Sequence, residues 1–228
     1  QTIDYLTQSY PDLSFRAVTQ YPFNRIDATT NQPIVTPPSF NPPGHGSVYF
    51  DLYHAGELHR LMDRNIDYLF ISNADNLAAS VDPSIAAYMA KHHCPFMMEC
   101  TPKRAADVKG GTLVQVNDRL SLWEIAQVSP SEHDLFASQP YFNTNSIWVH
   151  VQTLIDCIES NQLQMDLIQN KKQINGQPVI QLEYAMGSAI QSFANATALI
   201  VPRSRFFPIK KVSDYLLLIS DFTHIDDS

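Results

Sequence analysis

Four short stretches carry side chains whose types and spacing fit the handling of a phosphorylated ligand. In "PPGHGSVYF" (42 to 50), Gly44 and Gly46 flank His45 at a loop-to-helix junction. A glycine there lets backbone N–H groups approach a ligand, and a helix start favours negative charge. His45 can then donate to a phosphate, although a proline-glycine turn bearing an exposed histidine fits the same residues. In "FISNADNLAAS" (70 to 80) an apolar run ends in Asn73, Asp75 and Asn76. A carboxylate flanked by amides beyond a strand end suits a magnesium-bound nucleotide or a sugar; an Asx-rich turn is the alternative. In "RAADVKGGTLVQ" (104 to 115), Gly110 and Gly111 follow Lys109 and permit close backbone approach, or simply a tight turn into a strand. In "VPRSRFFPIKKVSDYLLL" (201 to 218), Arg203, Arg205, Lys210 and Lys211 fall close together with aromatics between them. That clustering suits phosphate binding or a solvated charged loop.

Two carboxylates sit in apolar contexts, Glu124 in "LWEIAQ" and Glu183 in "IQLEYAMG". Each is placed either to hold sugar hydroxyls or to pair with an arginine in the core. His54, His59, His92, His93, His133, His150 and His224 have no ligand-like partners in sequence and read as surface or structural residues. The adjacent His92 and His93 lack a third ligand and make no metal site.

The elements that must position these residues follow from apolar spacing. "FRAV" (15 to 18), "DYLFIS" (67 to 72), "PFMMEC" (95 to 100) and "ALIVP" (198 to 202) read as short buried strands. Residues 47 to 64 show helical spacing, and "PSIAAYMAK" (83 to 91) opens a helix with a proline. This alternation predicts parallel strands covered by helices. "GGTLVQVNDRLSLWEIAQV" (110 to 128) reads as a hairpin turning at "VNDRL", and "FNTNSIWVHVQTLIDCI" as a strand running into a helix. The proline-rich stretch 33 to 43 reads as a long loop. The expected fold is α/β: a three-layer, Rossmann-like, mixed and mostly parallel sheet with an antiparallel insertion.

With 228 residues, 44% of them hydrophobic, the chain can bury a sizeable core without disulfides. Cys94, Cys100 and Cys157 are odd in number and lack CxxC spacing, so they read as reduced thiols of a cytoplasmic protein. A net charge of -8 excludes a general nucleic-acid or anionic-membrane surface, yet leaves room for a local cluster of donors to a small polyanion. No apolar run reaches the ~18 residues of a membrane span.

Taken together and in order, "PPGHGSVY", "YLFISNADNLAASVD", "FMMEC", "ADVKGGTL", "EIAQV", "FNTNSIWV", "VIQLEYAMGSAI" and "VPRSRFFPIKKVSDYLLLISD" resemble the UTP–glucose-1-phosphate uridylyltransferases. The resemblance implies a nucleotide-diphospho-sugar transferase fold and the reversible formation of UDP-glucose and pyrophosphate from UTP and glucose 1-phosphate. It implies a magnesium ion, small-molecule substrates, a possible homo-oligomer, and no nucleic-acid or membrane partner. A non-catalytic UDP-sugar-binding module, or a pyrophosphorylase of UDP-N-acetylhexosamine or several UDP-sugars, is the alternative. Gln20 matches the family's uracil-contacting glutamine, Gly44 a nucleotide-contacting glycine, and His45 a histidine near the sugar phosphate and nucleotide. Asn73 matches a substrate-binding asparagine, Asp75 the aspartate at the phosphates and magnesium, and Lys210 the lysine that reaches the phosphates. Gly111, Glu124, Asn143 and Asn145 fall in segments lining the hexose pocket. Two features of the family pattern, an upstream N-G-G-x-G-T loop and a C-terminal left-handed β-helix, do not occur in residues 1 to 228, which therefore read as part of a catalytic domain. Ser47 stands where an acidic residue is usual, and Tyr184 and Met186 where small residues are usual.

Overall fold

The computed structural model describes residues 2–35, 39–104, 107 and 110–220. Lys109 and His224 lie outside the described residues. The chain starts with helix α1 (Thr2–Ser9), then short strands β1 (Phe23–Asn24), β2 (Ile26–Asp27) and β3 (Phe40–Asn41). Helices α2 (Val48–His54) and α3 (Glu57–Asp63) precede strand β4 (Tyr68–Ile71), helix α4 (Pro83–Lys91) and strand β5 (Phe96–Pro102). Strands β6 (Gly111–Val116) and β7 (Arg119–Glu124) form a hairpin, followed by helix α5 (His133–Ala137), strand β8 (Tyr141–His150) and helix α6 (Val151–Glu159). A second hairpin, β9 (Leu167–Ile174) and β10 (Gln177–Tyr184), leads through a 3-10 turn at Met186–Ser192 to β11 (Thr197–Ile200) and α7 (Val212–Leu218).

The central sheet has the order β11-β5-β8-β4. β11 pairs parallel with β5, and β8 pairs antiparallel with both β5 and β4. Three of its strands therefore run the same way and one is inserted against them, which matches the mixed, mostly parallel expectation in strand direction. That geometry gathers the carboxyl ends of β4, β5 and β11 on one edge, together with the start of β8. Open α/β sheets bind ligands at such an edge.

Both faces of the sheet are covered. On one, Phe96, Met98, Ile147 and Val149 pack with Tyr49, Leu58 and the buried stripe of α6, Val151, Leu154, Ile155 and Ile158. The stripe recurs at i, i+3, i+4 and i+7, the spacing of one helix face. On the other face, Met97 and Trp148 pack with Ile85 and Met89 of α4. That helix starts as its sequence predicts, with Asp82 accepting from the Ser84 N–H at 2.8 Å and Pro83 in the first turn.

Two expected elements differ. Residues 15 to 18 pair with no strand among the described residues; Arg16 reaches Glu57, its Nε donating to Oε1 at 2.7 Å. The helix expected over 47 to 64 is split, because Gly56 adopts a left-handed φ of 73° that ends α2 and starts α3 at a new angle. The β6–β7 hairpin is as expected, turning through Asn117 and Asp118, both at positive φ, as a two-residue hairpin turn of the right twist requires.

Candidate functional site

The GHG turn is held by close approach. Gly44 has φ 81°, and a Cβ there would meet the Tyr184 carbonyl oxygen at 2.6 Å; one on Gly46 would meet the Tyr184 Cβ at 2.6 Å. The two glycines thus let the turn pack directly onto the end of β10, where the Tyr184 N–H donates to the Pro43 carbonyl at 2.7 Å. That packing brings His45 beside the next residues of the chain, and the Met186 N–H donates to its Nδ1 at 3.0 Å. With Nδ1 an acceptor, the neutral ring carries its proton on Nε2. Desolvation by the surrounding protein, and then the Lys210 charge, lower the His45 pKa and keep the ring neutral.

Gln20 arrives at the same turn. Its Nε2 donates to the Gly44 carbonyl at 2.9 Å and to Ser47 Oγ at 2.8 Å. Ser47 Oγ in turn donates to Asp51 Oδ2 at 2.6 Å, so a carboxylate one turn further on stands behind the serine. Both amide protons of Gln20 are thereby directed at the turn.

Asn73 and Asp75 lie in the turn after β4, where Asn76 N–H donates to the Asn73 carbonyl at 3.1 Å. Lys210 comes from the loop after β11, and its ammonium is paired with the Asp75 carboxylate. β4 and β11 are opposite edges of the sheet, so these loops meet above the inner strands. The pair is open to water, with side-chain exposures of 60% for Lys210 and 36% for Asp75. Such a pair contributes only about 0–1 kcal/mol, and an incoming anion can take the lysine from it at little cost.

A second group gathers around the start of β8. Between Glu99 and Cys100 the β5–β8 register shifts, and the extra residues of β8 include Asn145 at φ 57°. Asn143 and Asn145 brace each other: the Asn145 N–H donates to Asn143 Oδ1 and Asn143 Nδ2 donates to Asn145 Oδ1, both at 2.8 Å. Asn143 is 3% exposed, and a Cβ on Gly187 would lie 3.2 Å from its Nδ2. The same Cβ would touch Leu122, whose other methyl lies against Gly111, itself paired with Glu124 across the hairpin. Among the described residues no cation is paired with Glu124, and burial raises its pKa.

The structure therefore brings together Gln20, Gly44 and His45; Asp75 and Lys210; and Gly111, Glu124, Asn143 and Asn145. Met186 links the first group to the third through its neighbour Gly187, and the Lys210 charge felt at His45 links the first to the second. Asn73 sits beside Asp75. The arginines fare differently. Arg203 makes a two-pronged pair with Asp107 at 2.7 and 2.8 Å, and Arg205 pairs with the buried Glu99, so both guanidinium groups are already engaged by carboxylates of the protein. Glu183 accepts from Asn170 Nδ2 at 2.9 Å, the neighbouring strand rather than a core arginine supplying its donor. The sequence names Asn76 beside Asn73 and Asp75 as an amide flanking a ligand carboxylate, whereas the structure ties it to the backbone of the loop after β11. Glu99 and Gly187 are not singled out, although both fall within the quoted stretches "FMMEC" and "VIQLEYAMGSAI".

Among the described residues no group of three or more His, Cys, Asp or Glu converges to hold a metal. A metal bridged by nucleotide phosphates needs fewer protein ligands, and the hard oxygens of the single carboxylate Asp75 fit a magnesium ion completed by phosphate and water. No described helix is long and apolar enough to cross a membrane.

The family model described as UTP–glucose-1-phosphate uridylyltransferase matches residues 1–228. A UTP–glucose-1-phosphate uridylyltransferase of Encephalitozoon cuniculi is 41% identical over 210 residues, 89% of this chain and 42% of the relative. One from Dictyostelium discoideum is 41% identical over 226 residues, 95% of this chain and 45% of the relative. Among solved structures, the UDP-glucose pyrophosphorylase of Leishmania major has a TM-score of 0.85 and 33% identity, covering 96% of this chain and 52% of its own. A mutant of that enzyme in complex with UDP-glucose aligns equally well, with a TM-score of 0.85. The chain spans less than half the length of these curated relatives.

Proposed function

The chain belongs to the UTP–glucose-1-phosphate uridylyltransferase family, and we propose that it forms the sugar-nucleotide cleft of such an enzyme. In the reaction an oxygen of the phosphate of glucose 1-phosphate attacks the α-phosphorus of UTP. A new P–O bond forms, the bond from the α-phosphorus to the bridging oxygen breaks, and its electron pair leaves with pyrophosphate. The observation that carries this reading is the meeting of Asp75 and Lys210 from opposite edges of the sheet, with Lys210 within electrostatic reach of a neutral His45.

Each group has a task that its partners leave it free to do. Gln20 Oε1 accepts from the N3–H of uracil while Nε2 stays on the GHG turn. Gly44 and Gly46 bring backbone close to the nucleotide. His45 donates Nε2–H to a phosphate oxygen without adding a charge that would compete with Lys210. Lys210 leaves Asp75 and neutralises charge on the α-phosphate oxygens, the preorganised stabilisation on which phosphoryl transfer depends. Asp75, so released, would hold magnesium, which when bound offsets phosphate charge and helps align the reacting groups. Glu124, Asn143, Asn145 and Gly111 hold the hexose hydroxyls, with Asn73 between sugar and phosphate. Free, buried cysteines fit a reducing compartment, and we place the protein in the cytoplasm.

The test uses the 228-residue chain with UDP-glucose, pyrophosphate and magnesium, following UTP formation and titrating UDP-glucose in parallel. Turnover, or specific UDP-glucose binding without turnover, supports the cleft. The second outcome assigns catalysis to parts of the family pattern outside these residues and favours the binding-module reading for this segment. Failure to bind UDP-glucose at millimolar concentration overturns the proposal.

A further inference from the structure

We propose that Arg205, through its buried pairing with Glu99, is a positioning residue for Lys210, and that Asn76 completes the clamp. This rests on the reading of Lys210 given above, and it concerns residues that touch no substrate.

Glu99 lies in the middle of the sheet on β5 and is 0% exposed. Its carboxylate accepts from Arg205 Nη2 at 2.6 Å, from Arg205 Nε at 3.0 Å, and from Trp148 Nε1 on the adjacent strand at 2.9 Å. A carboxylate without water must be paired, yet a buried ion pair contributes little that apolar residues of the same volume would not. What three directed donors do supply is a fixed place for the guanidinium. Arg205 uses its remaining donors on the loop after β4, Nη1 to Ser80 Oγ at 3.0 Å and Nη2 to the Ser80 carbonyl at 2.9 Å. One side chain thus ties β5, the loop bearing Asp75, and its own loop.

The ties continue along the backbone towards Lys210. Asn76, 5% exposed, donates Nδ2–H to the Arg205 carbonyl at 3.2 Å and accepts the Phe207 N–H at 2.8 Å. Leu77 N–H donates to the Phe207 carbonyl at 3.2 Å, and Ile209 N–H to the Asp75 carbonyl at 2.8 Å. Phe207 and Ile209 therefore engage residues 75 to 77 as a short antiparallel bridge around Asn76 and Pro208. Lys210 is the next residue. Its own side chain is long and mostly exposed, so its starting point is set by this clamp, and loosening the clamp disperses the ammonium over the cleft.

The experiment measures amide hydrogen exchange on the unaltered chain and on a Glu99→Met/Arg205→Met double variant, in which apolar groups replace the pair together. Protection of the Phe207 and Ile209 amides is expected to fall at least ~10-fold while β5 and β8 stay protected, because only the clamp is lost. Unchanged protection at Phe207 and Ile209 overturns the proposal. Should protection fall throughout the sheet, Asn76→Ala decides: local loss at the same two amides supports the clamp, and full protection defeats it. UDP-glucose titration adds a readout that general destabilisation does not move. The loss of affinity in the double variant is expected to vanish in a Lys210→Ala background, since both act through one group; full additivity overturns the positioning role. Absence of UDP-glucose binding by the unaltered chain defeats the uridylyltransferase reading alone, because the exchange data still judge the clamp.

Discussion

The Met186 N–H points at Nδ1 of His45 from 3.0 Å, and this one bond decides which nitrogen of the neutral imidazole carries the proton. A protonated ring would place an N–H where the backbone already donates. Protonation therefore costs this contact as well as the desolvation and the repulsion from Lys210 that lower the pKa. The unfolded chain, with an ordinary value near 6.5, takes up the proton first. Between 6.5 and the lower folded value the unfolded state binds more protons, so stability is complete above about pH 6.5 and declines as the pH falls through the folded value. Denaturant unfolding of the unaltered chain and of His45→Gln, which does not titrate, should show the unaltered chain losing stability relative to the variant on acidification. A constant difference from pH 7.5 to pH 5 would contradict the assigned tautomer.

Glu124 titrates in the opposite sense. Burial raises its pKa above 4.5, so the folded state resists ionisation, and stability falls as pH rises from the unfolded value through the folded one. Glu124→Gln keeps an oxygen that can accept the Gln127 N–H yet carries no charge. The variant is expected to be as stable as the parent at pH 4 and more stable at pH 7, and to bind UDP-glucose more weakly. Such opposed effects mark a group retained for its ligand. A loss of stability at pH 7, seen in thermal unfolding, would show that the carboxylate is structural.

Gly111 backs Glu124 at van der Waals distance. A Cβ there would stand 2.7 Å from Leu122 Cδ1 and 3.0 Å from the Glu124 carboxyl carbon, and Leu122 is buried against Gly187 with little room to retreat. Gly111→Ala should cost about 1–3 kcal/mol by overpacking and should weaken UDP-glucose binding by displacing Glu124. Denaturant midpoints and calorimetric titration check the two effects separately; a neutral result in both would mean that the hairpin shifts freely over β8.

How much of this was legible in the sequence depended on whether the decisive partner was near or far along the chain. The β6–β7 hairpin and the β8–α6 junction were legible because alternation, turn residues and helical spacing are local. The β9–β10 hairpin was not among the expected elements, although its Asn175-Gly176 dipeptide is an equally local signal and both residues take the positive φ that such a turn needs. "FRAV" has the composition of a strand but pairs with none among the described residues. Gly56 was visible within the 47 to 64 helix, but its left-handed conformation depends on how α3 must turn to pack on α6. In the basic cluster after β11, Lys210 reaches the Asp75 carboxylate beyond β4, whereas Arg203 and Arg205 are taken up by carboxylates 96 and 106 residues away that the sequence did not pair with them. Motifs in order named candidate residues, but not the partners each one takes: Met186 occupies Nδ1 of His45, and Gly44 with Ser47 occupy the amide of Gln20, contacts made across the fold.

Tyr49 shows how far the support of the site extends into the core. It is 0% exposed, its hydroxyl donates to the Met186 carbonyl at 2.8 Å, and burial pushes its pKa up so that the phenol stays protonated. Met186 is thus held on both sides of its peptide, by Tyr49 through the carbonyl and by His45 through the N–H. Tyr49→Phe removes one bond and leaves a buried acceptor unpaired, at about 1–3 kcal/mol. The expected result in denaturant unfolding is a lower midpoint with an unchanged slope, accompanied by a His45 pKa that moves back towards 6.5 as its donor becomes mobile. Two-dimensional NMR of the imidazole through a pH titration reads the second effect directly, and an unmoved pKa would separate Tyr49 from the site.

The Asp75–Lys210 pair sets the last expectation, because the proposed function requires the pair to open before either partner acts. Lys210→Ala should slow UTP formation from UDP-glucose and pyrophosphate by at least ~100-fold, as does loss of a preorganised charge-stabilising donor elsewhere, and His45→Ala should do the same. Chelation of magnesium should abolish turnover while leaving UDP-glucose binding measurable, since the hexose and uracil contacts need no metal. In Asp75→Asn the lysine loses its partner, so anion binding without metal should strengthen slightly while the response to added magnesium weakens. The asymmetry separates the two roles: a residue that only held Lys210 in place would, when neutralised, weaken pyrophosphate binding in the absence of magnesium as well as in its presence. Titrating pyrophosphate with and without magnesium into Asp75→Asn and the unaltered chain distinguishes them, and weakened binding in both conditions would remove Asp75 from the metal and make it a support for the lysine.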